Sequence, residues 1–157
     1  MMQIEEAKNI LVEYVRLTKP IFGNVSIDIS DDIDVAKFPD ELSKLKDQKE
    51  GLYIIWSKND RRVIYVGIAV DIPRRVYQHI GKGYSWSRDS STARFPHCTL
   101  AEGRHWLNPT TQKEMQDAEW NITAVLTNPG SFRGQLESML IFWGIQNNKK
   151  PEINVEL

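Results

Sequence analysis

Cysteine is nearly missing from this sequence: Cys98 is the only one in 157 residues. No disulfide can form within the chain, so an apolar core must hold it together. No apolar run approaches the roughly 20 residues of a membrane-crossing helix. The N-terminus also lacks the charged, apolar and small-residue succession of a secretion signal. These absences lead to the expectation of a cytoplasmic protein. Net charge is almost absent too, at −1 from 20 basic and 21 acidic residues. That argues against binding a polyanion by bulk charge. There is no internal repeat and no low-complexity tract.

What is present is an ordinary globular balance, 41% hydrophobic and 26% charged, in a chain long enough for one domain with a real core. The charge is unevenly placed. Residues 1–50 carry 7 Lys/Arg against 11 Asp/Glu, residues 58–105 carry 9 against 4, and residues 106–157 carry 4 against 6. A basic middle between acidic flanks suits a local polyanion site, since phosphate contacts need only a patch. A solvated loop with scattered arginines would show the same counts.

Apolar residues at Ile4, Ala7, Leu11, Tyr14 and Val15 predict a helix over 4–17, with Pro20 preventing much continuation. Val25–Ile29 alternates like a short strand, and residues 39–46 suit a short helix. Residues 1–50 thus read as an N-terminal extension packed on a core that begins near Gly51. Gly51–Trp56 and Val63–Val66 are compact apolar runs on either side of the polar turn Ser57-Lys58-Asn59-Asp60, which predicts an antiparallel hairpin. Asp71 is a good N-cap for a helix running to Ile80, with Pro73 in its first turn. Asn121–Leu126 predicts a third strand. Ser131 is expected to cap a helix from Phe132 to about Gln146, with Pro151 beyond its end.

Residues 81–118 are rich in Gly, Ser, Thr, Arg and His and poor in periodic apolar positions. A connection of that length is expected to be functional or to carry small elements of its own. Lys82, Arg88 and Arg94 are interleaved there with Tyr84, Trp86 and Trp106. That pattern can grip a nucleic-acid backbone and stack on bases, although a packed insertion would use the same tryptophans. His97, Cys98 and His105 provide three candidate ligands and no Cys-x-x-Cys, which argues against a zinc site.

One ordered series of residues carries chemistry. Gly51-Leu52-Tyr53 is followed, after 11 intervening residues, by Tyr65-Val66-Gly67. Arg74 and Arg75 come next, with His79 one helical turn beyond Arg75. Glu137 lies on a helix that is apolar on nearly every side, where a carboxylate is costly unless a cation or metal takes its charge. Asn154 closes the series within Pro151-Glu152-Ile153-Asn154. Taken singly, each has a plain structural reading: a rim tyrosine, a solvated Arg/His face, a carboxylate paired with a lysine or arginine, a turn asparagine.

Taken together, the series resembles the GIY-YIG nuclease superfamily over about residues 51–157. The resemblance implies an α/β fold: a small three-stranded antiparallel sheet flanked by helices, here with an N-terminal helical extension and an insertion at about 81–118. It implies an endonuclease that hydrolyses DNA phosphodiester bonds with Mg²⁺ or Mn²⁺, with Glu137 as the sole protein ligand of the metal. Tyr65 is implied near the attacking water, as general base or relay, with Tyr53 assisting. A phenol, with a pKa of about 10, serves as a base only when a cation lowers that value. Arg75 is implied as the phosphate contact, His79 as a proton acceptor or phosphate donor, and Asn154 as an orienting residue. Arg74, Lys82, Arg88 and Arg94 are expected on the DNA backbone.

One position departs from the pattern. Many relatives carry Lys or Ser directly after Tyr-Val-Gly, and this chain has Ile68, which holds neither water nor phosphate. The rival readings are a DNA-binding module of the same fold that does not cut, and an interaction domain unrelated to nucleic acid.

Overall fold

The computed structural model describes residues 1–37, 41, 44, 50–80 and 108–152, and of residues 77–80, 112 and 116 the backbone alone. The chain begins with helix α1 (Ile4–Phe22), then short strands β1 (Ser26–Ile29) and β2 (Ile33–Asp34) and a 3-10 turn at Val35–Lys37. The hairpin strands β3 (Gly51–Ser57) and β4 (Val63–Ala69) lead into α2 (Ile72–Ile80). Then come α3 (Pro109–Gln116), β5 (Trp120–Asn128), a 3-10 turn at Gly130–Phe132 and α4 (Arg133–Gln146).

The five strands form one antiparallel sheet in the order β1-β5-β3-β4, with β2 also on β5. The expected fold class holds, but the sheet has five strands rather than three. β1 and β2 pair with successive stretches of β5, Ser26–Ile29 with residues 128–125 and Ile33–Asp34 with 122–121. Strands of four and two residues are too short to stand without such a partner, which leaves them weak as sequence signals.

All seven residues of β3 are buried, because β3 lies between β4 and β5 and both faces of the sheet are covered. On one face Tyr53, Ile55, Ile64 and Ile122 pack with Ile72 and Val76 of α2 and Met115 of α3. On the other, Leu52, Ile54 and Val66 pack with Ala7 and Leu11 of α1 and Leu136 and Leu140 of α4. Each fully buried branched or aromatic side chain in these layers contributes about 1.5–3 kcal/mol.

α1 buries Ile4, Ala7, Leu11 and Val15, has Glu5 and Glu6 in its first turn and Lys19 in its last, which suits the helix dipole. It passes Pro20 by only two residues before Gly23, at φ 77°, ends it. Asp71 does cap α2, accepting from the Arg74 N–H at 3.2 Å. Ser131 does not cap α4: it lies inside the 3-10 turn, and α4 starts at Arg133 with no side-chain cap. The end of the 81–118 stretch is ordered as α3, capped by the Asn108 carboxamide, which accepts from Thr111 N–H at 2.8 Å. The expected short helix at 39–46 falls mostly outside the described residues. Among the described residues no helix is long and apolar enough to cross a membrane.

Candidate active site

β4 is the edge strand beside β3, and the pairing shifts register between Ile55 and Trp56, which face Tyr65 and Val63. Ile64 is therefore an extra residue in β4, and Ile64 and Tyr65 both pack on the α2 face. A bulge of this kind re-aims the side chains next to it. The regular pairing before the shift, Tyr53 with Gly67 and Ile55 with Tyr65, already sets Tyr65 diagonally beside Tyr53, with ring centroids 5.9 Å apart and planes tilted by 51°.

Two glycines make room for this arrangement. A Cβ on Gly67 would lie 2.5 Å from Cζ and Oη of Tyr53 and 2.7 Å from Cε1 of Tyr65. A Cβ on Gly51 would lie 2.1 Å from the Val125 carbonyl oxygen on β5. The glycines of the two motif triplets are thus steric requirements, one for the tyrosine rings and one for the approach of β5.

The two hydroxyls are hydrogen-bonded to each other, and the bond raises the pKa of Tyr53 while lowering that of Tyr65. Burial is the largest influence on both phenols and pushes both above the ordinary tyrosine value. Both also feel the Arg75 guanidinium, which opposes the rise, and the Glu137 carboxylate, which adds to it.

Arg75 comes from the first turns of α2, where Ile72 and Val76 are anchored in the core. Arg75 is half-buried on this helix, and Arg74 beside it is exposed. Glu137 comes from α4, on the opposite face of the sheet, where its neighbour Leu136 is buried. Its carboxylate is half-buried and burial alone raises its pKa. Among the described residues neither Arg75 nor Glu137 has an ion pair. The paired-carboxylate reading of Glu137 thus finds no partner there.

Tyr53 and Tyr65 thus lie within electrostatic reach of both Arg75 and Glu137. His79 lies on α2, but its side chain is outside the described atoms, and so are Lys82, Arg88, Arg94, His97, Cys98, His105 and Asn154. Ile68 packs against the α1–α4 layer, away from the two tyrosines.

A second polar cluster escaped the sequence reading. Arg62, 2% exposed, donates to both carboxylate oxygens of Asp60 at 2.8 and 2.9 Å, to Glu114 at 2.7 Å and to Thr111 at 2.5 Å. Glu114 also accepts from the Ser57 hydroxyl. Glu152 accepts from Thr111 at 2.5 Å and from the Asn108 N–H at 2.8 Å. This cluster bolts α3 to the turn of the β3–β4 hairpin. Arg62 and Glu114 stand 52 residues apart, and no local pattern links them.

A family model, described as GIY-YIG catalytic domain, matches residues 49–122. Comparison with curated proteins and with solved structures finds no match. The matched span contains the hairpin, both tyrosines, the two glycines that seat them, and Arg75. Residues 49–122 thus match the GIY-YIG catalytic domain, which supports the resemblance to the GIY-YIG nuclease superfamily.

Proposed function

We propose that the chain is an endonuclease that hydrolyses DNA phosphodiester bonds by in-line attack of water, assisted by one Mg²⁺ or Mn²⁺ ion. The observation that carries this reading is a pair of hydrogen-bonded phenols within electrostatic reach both of a guanidinium and of a half-buried carboxylate that has no ion pair among the described residues.

Glu137 fits a divalent cation. Its carboxylate has no cationic partner among the described residues, and burial makes its charge costly. Among the described residues no cluster of three or more His, Cys, Asp or Glu could hold an ion instead. A lone carboxylate suits a hard cation that keeps much of its water. Bound there, such an ion would supply Lewis-acid polarisation of the phosphate and stabilise the leaving oxygen.

The other roles belong to the chain itself. Arg75 presents a planar fork of donors to the non-bridging phosphate oxygens and stabilises the charge that develops on them. Tyr65 keeps its proton at neutral pH, because burial has raised its pKa. It therefore orients the attacking water and relays its proton, acting as a base only where a cation brings the phenol down. Tyr53 fixes Tyr65 through the hydrogen bond between their hydroxyls. By the resemblance, His79 and Asn154 support the site, while Arg74, Lys82, Arg88 and Arg94 contact the DNA backbone. Residues 1–50 are read as an extension carried on a nuclease domain of residues 51–157, at work in the cytoplasm.

The test is cleavage of supercoiled plasmid with Mg²⁺ or Mn²⁺, comparing wild type with Glu137→Ala and Arg75→Ala. Nicking by wild type that is lost in both variants supports the reading. Salt-dependent retardation of DNA without cleavage by any form would replace it with the non-cutting binding module.

A further inference from the structure

α1 and α4 lie side by side and antiparallel. Glu6, near the start of α1, pairs with Lys149 beyond the end of α4 at 2.8 Å. Tyr14 and Phe22, further along α1, pack on Phe132 just before α4, at centroid distances of 6.3 and 6.0 Å. One side of this helix pair faces the sheet. Beside that side runs a second apolar stripe, partly packed on the core at Ile10, Tyr14 and Met139 and exposed at Leu17, Ile21 and Phe142.

On α1 this surface is the series Ile10, Tyr14, Leu17 and Ile21, spaced by four, three and four residues. That is the spacing of a helix seam, and it runs beside the buried series Ile4, Ala7, Leu11 and Val15. Leu17 is 57% and Ile21 76% exposed. On α4 the matching residues are Gln135, Ser138, Met139 and Phe142, which line an open groove with Tyr14. None of these five residues is charged. Phe142 lines the groove and also stands 56% exposed, so a hole and a projecting ring lie side by side.

We propose that this face docks a second copy of the chain, joining two α1–α4 pairs into a four-helix bundle about a twofold axis. Three observations select that occupant. A face with a knob next to a hole is self-complementary under twofold rotation, and the α1 spacing suits packing against another helix. A membrane would require a basic polar side, yet α1 carries Glu5, Glu6 and Glu13 against Lys8, Arg16 and Lys19. The size also fits: helices of 19 and 14 residues are about 28 and 21 Å long, with axes about 9 Å apart. Their joint face approaches, at its low end, the roughly 800 Å² per partner of a standard interface. Glu137 and Phe142 are five residues apart on α4, hence about 140° apart around it, so docking leaves the site at the β4 edge open.

Sedimentation of the full chain from about 1 to about 200 µM, bracketing the range of a small interface, tests this. Wild type should pass from monomer to dimer. Leu17→Glu and Phe142→Glu should each weaken the dimer at least tenfold while keeping the wild-type circular dichroism spectrum and melt. Both positions are exposed, and Ser138→Lys is a third variant on the same groove. A wild type that stays monomeric throughout overturns the proposal, as does a dimer that well-folded variants leave unchanged.

Discussion

Tyr53 lies across Gly67 in the neighbouring strand, its Cζ and Oη where a Cβ at residue 67 would come within 2.5 Å. Tyr53 and Gly67 are register partners on β3 and β4, so the ring has only the space of a missing side chain. The Tyr53 hydroxyl that is hydrogen-bonded to Tyr65 is therefore placed by a glycine.

Gly67→Ala should displace both rings. Overpacking of this kind costs about 1–3 kcal/mol, which for a chain of this size lowers Tm by roughly 3–10 °C. DNA nicking should fall more than tenfold at a temperature where the variant remains folded. Near-wild-type nicking by Gly67→Ala would mean that the tyrosine pair plays no part in the chemistry.

Glu137→Gln should stabilise the metal-free protein slightly while abolishing cleavage. Burial raises the Glu137 pKa above its ordinary 4.5, so the folded state carries the ionised form at a cost. Below the ordinary value that cost is absent, and it is complete once pH has risen through the folded-state pKa. The group is half-exposed, so the gain at pH 7 should be no more than about 1–3 °C in Tm. Added Mn²⁺ should raise the melting temperature of wild type and leave that of Glu137→Gln unchanged. An equal metal shift in both would remove Glu137 as the ligand.

The raised phenol values give an alkaline signature. Unfolded tyrosines ionise near pH 10, whereas Tyr53 and Tyr65 resist in the fold. Stability should be intact below pH 10 and fall as pH climbs beyond it, because only the unfolded chain releases those protons. Absorbance titration at alkaline pH should show Tyr53 and Tyr65 ionising late. Tyr53→Phe and Tyr65→Phe should each remove one late step. A titration in which all the tyrosines ionise together near pH 10 would contradict the burial described for the pair.

Arg62→Ala should be the most damaging change outside the site. It leaves Glu114, 2% exposed, without its cation, and an unpaired buried carboxylate costs about 3–5 kcal/mol. Arg62→Met combined with Glu114→Leu should recover most of that loss, since an apolar pair of similar volume removes both charges. Thermal melts of the single and double variants check this, and equal Tm losses in the two would refute it.

The motif and its local structure were legible in the sequence where they depended on local order. The two tyrosine–glycine triplets, the Asp71 cap and the isolated carboxylate in an apolar helix all act within a few residues of themselves. What escaped was long-range. β1 was legible as the alternating run Val25–Ile29, but the two-residue β2 is a strand only because β5 offers it an edge, and Arg62 is buried because α3 brings Glu114 and Thr111 over it. Gly67 stood in a recognised motif, yet its purpose appears only when the Tyr53 ring is seen above it. Ser131 looked like a cap by residue type, but the 3-10 turn over Gly130–Phe132 carries the backbone past it.

The position of β5 bears on how the chain comes together during synthesis. β5 closes both β3 and β1, yet it begins 63 residues after the end of β3 and 91 after the end of β1. When β3 and β4 have left the ribosome they can pair as a hairpin, but the other edge of β3, wholly apolar in its side chains except at Ser57, has nothing to bind. At about 5–20 residues per second that edge waits several seconds for its partner. Contacts at such separation also slow closure once the partner arrives. The nascent chain thus carries an open, sticky strand for much of its synthesis, and Gly51, where β5 must approach closest, is the last place at which that exposure ends.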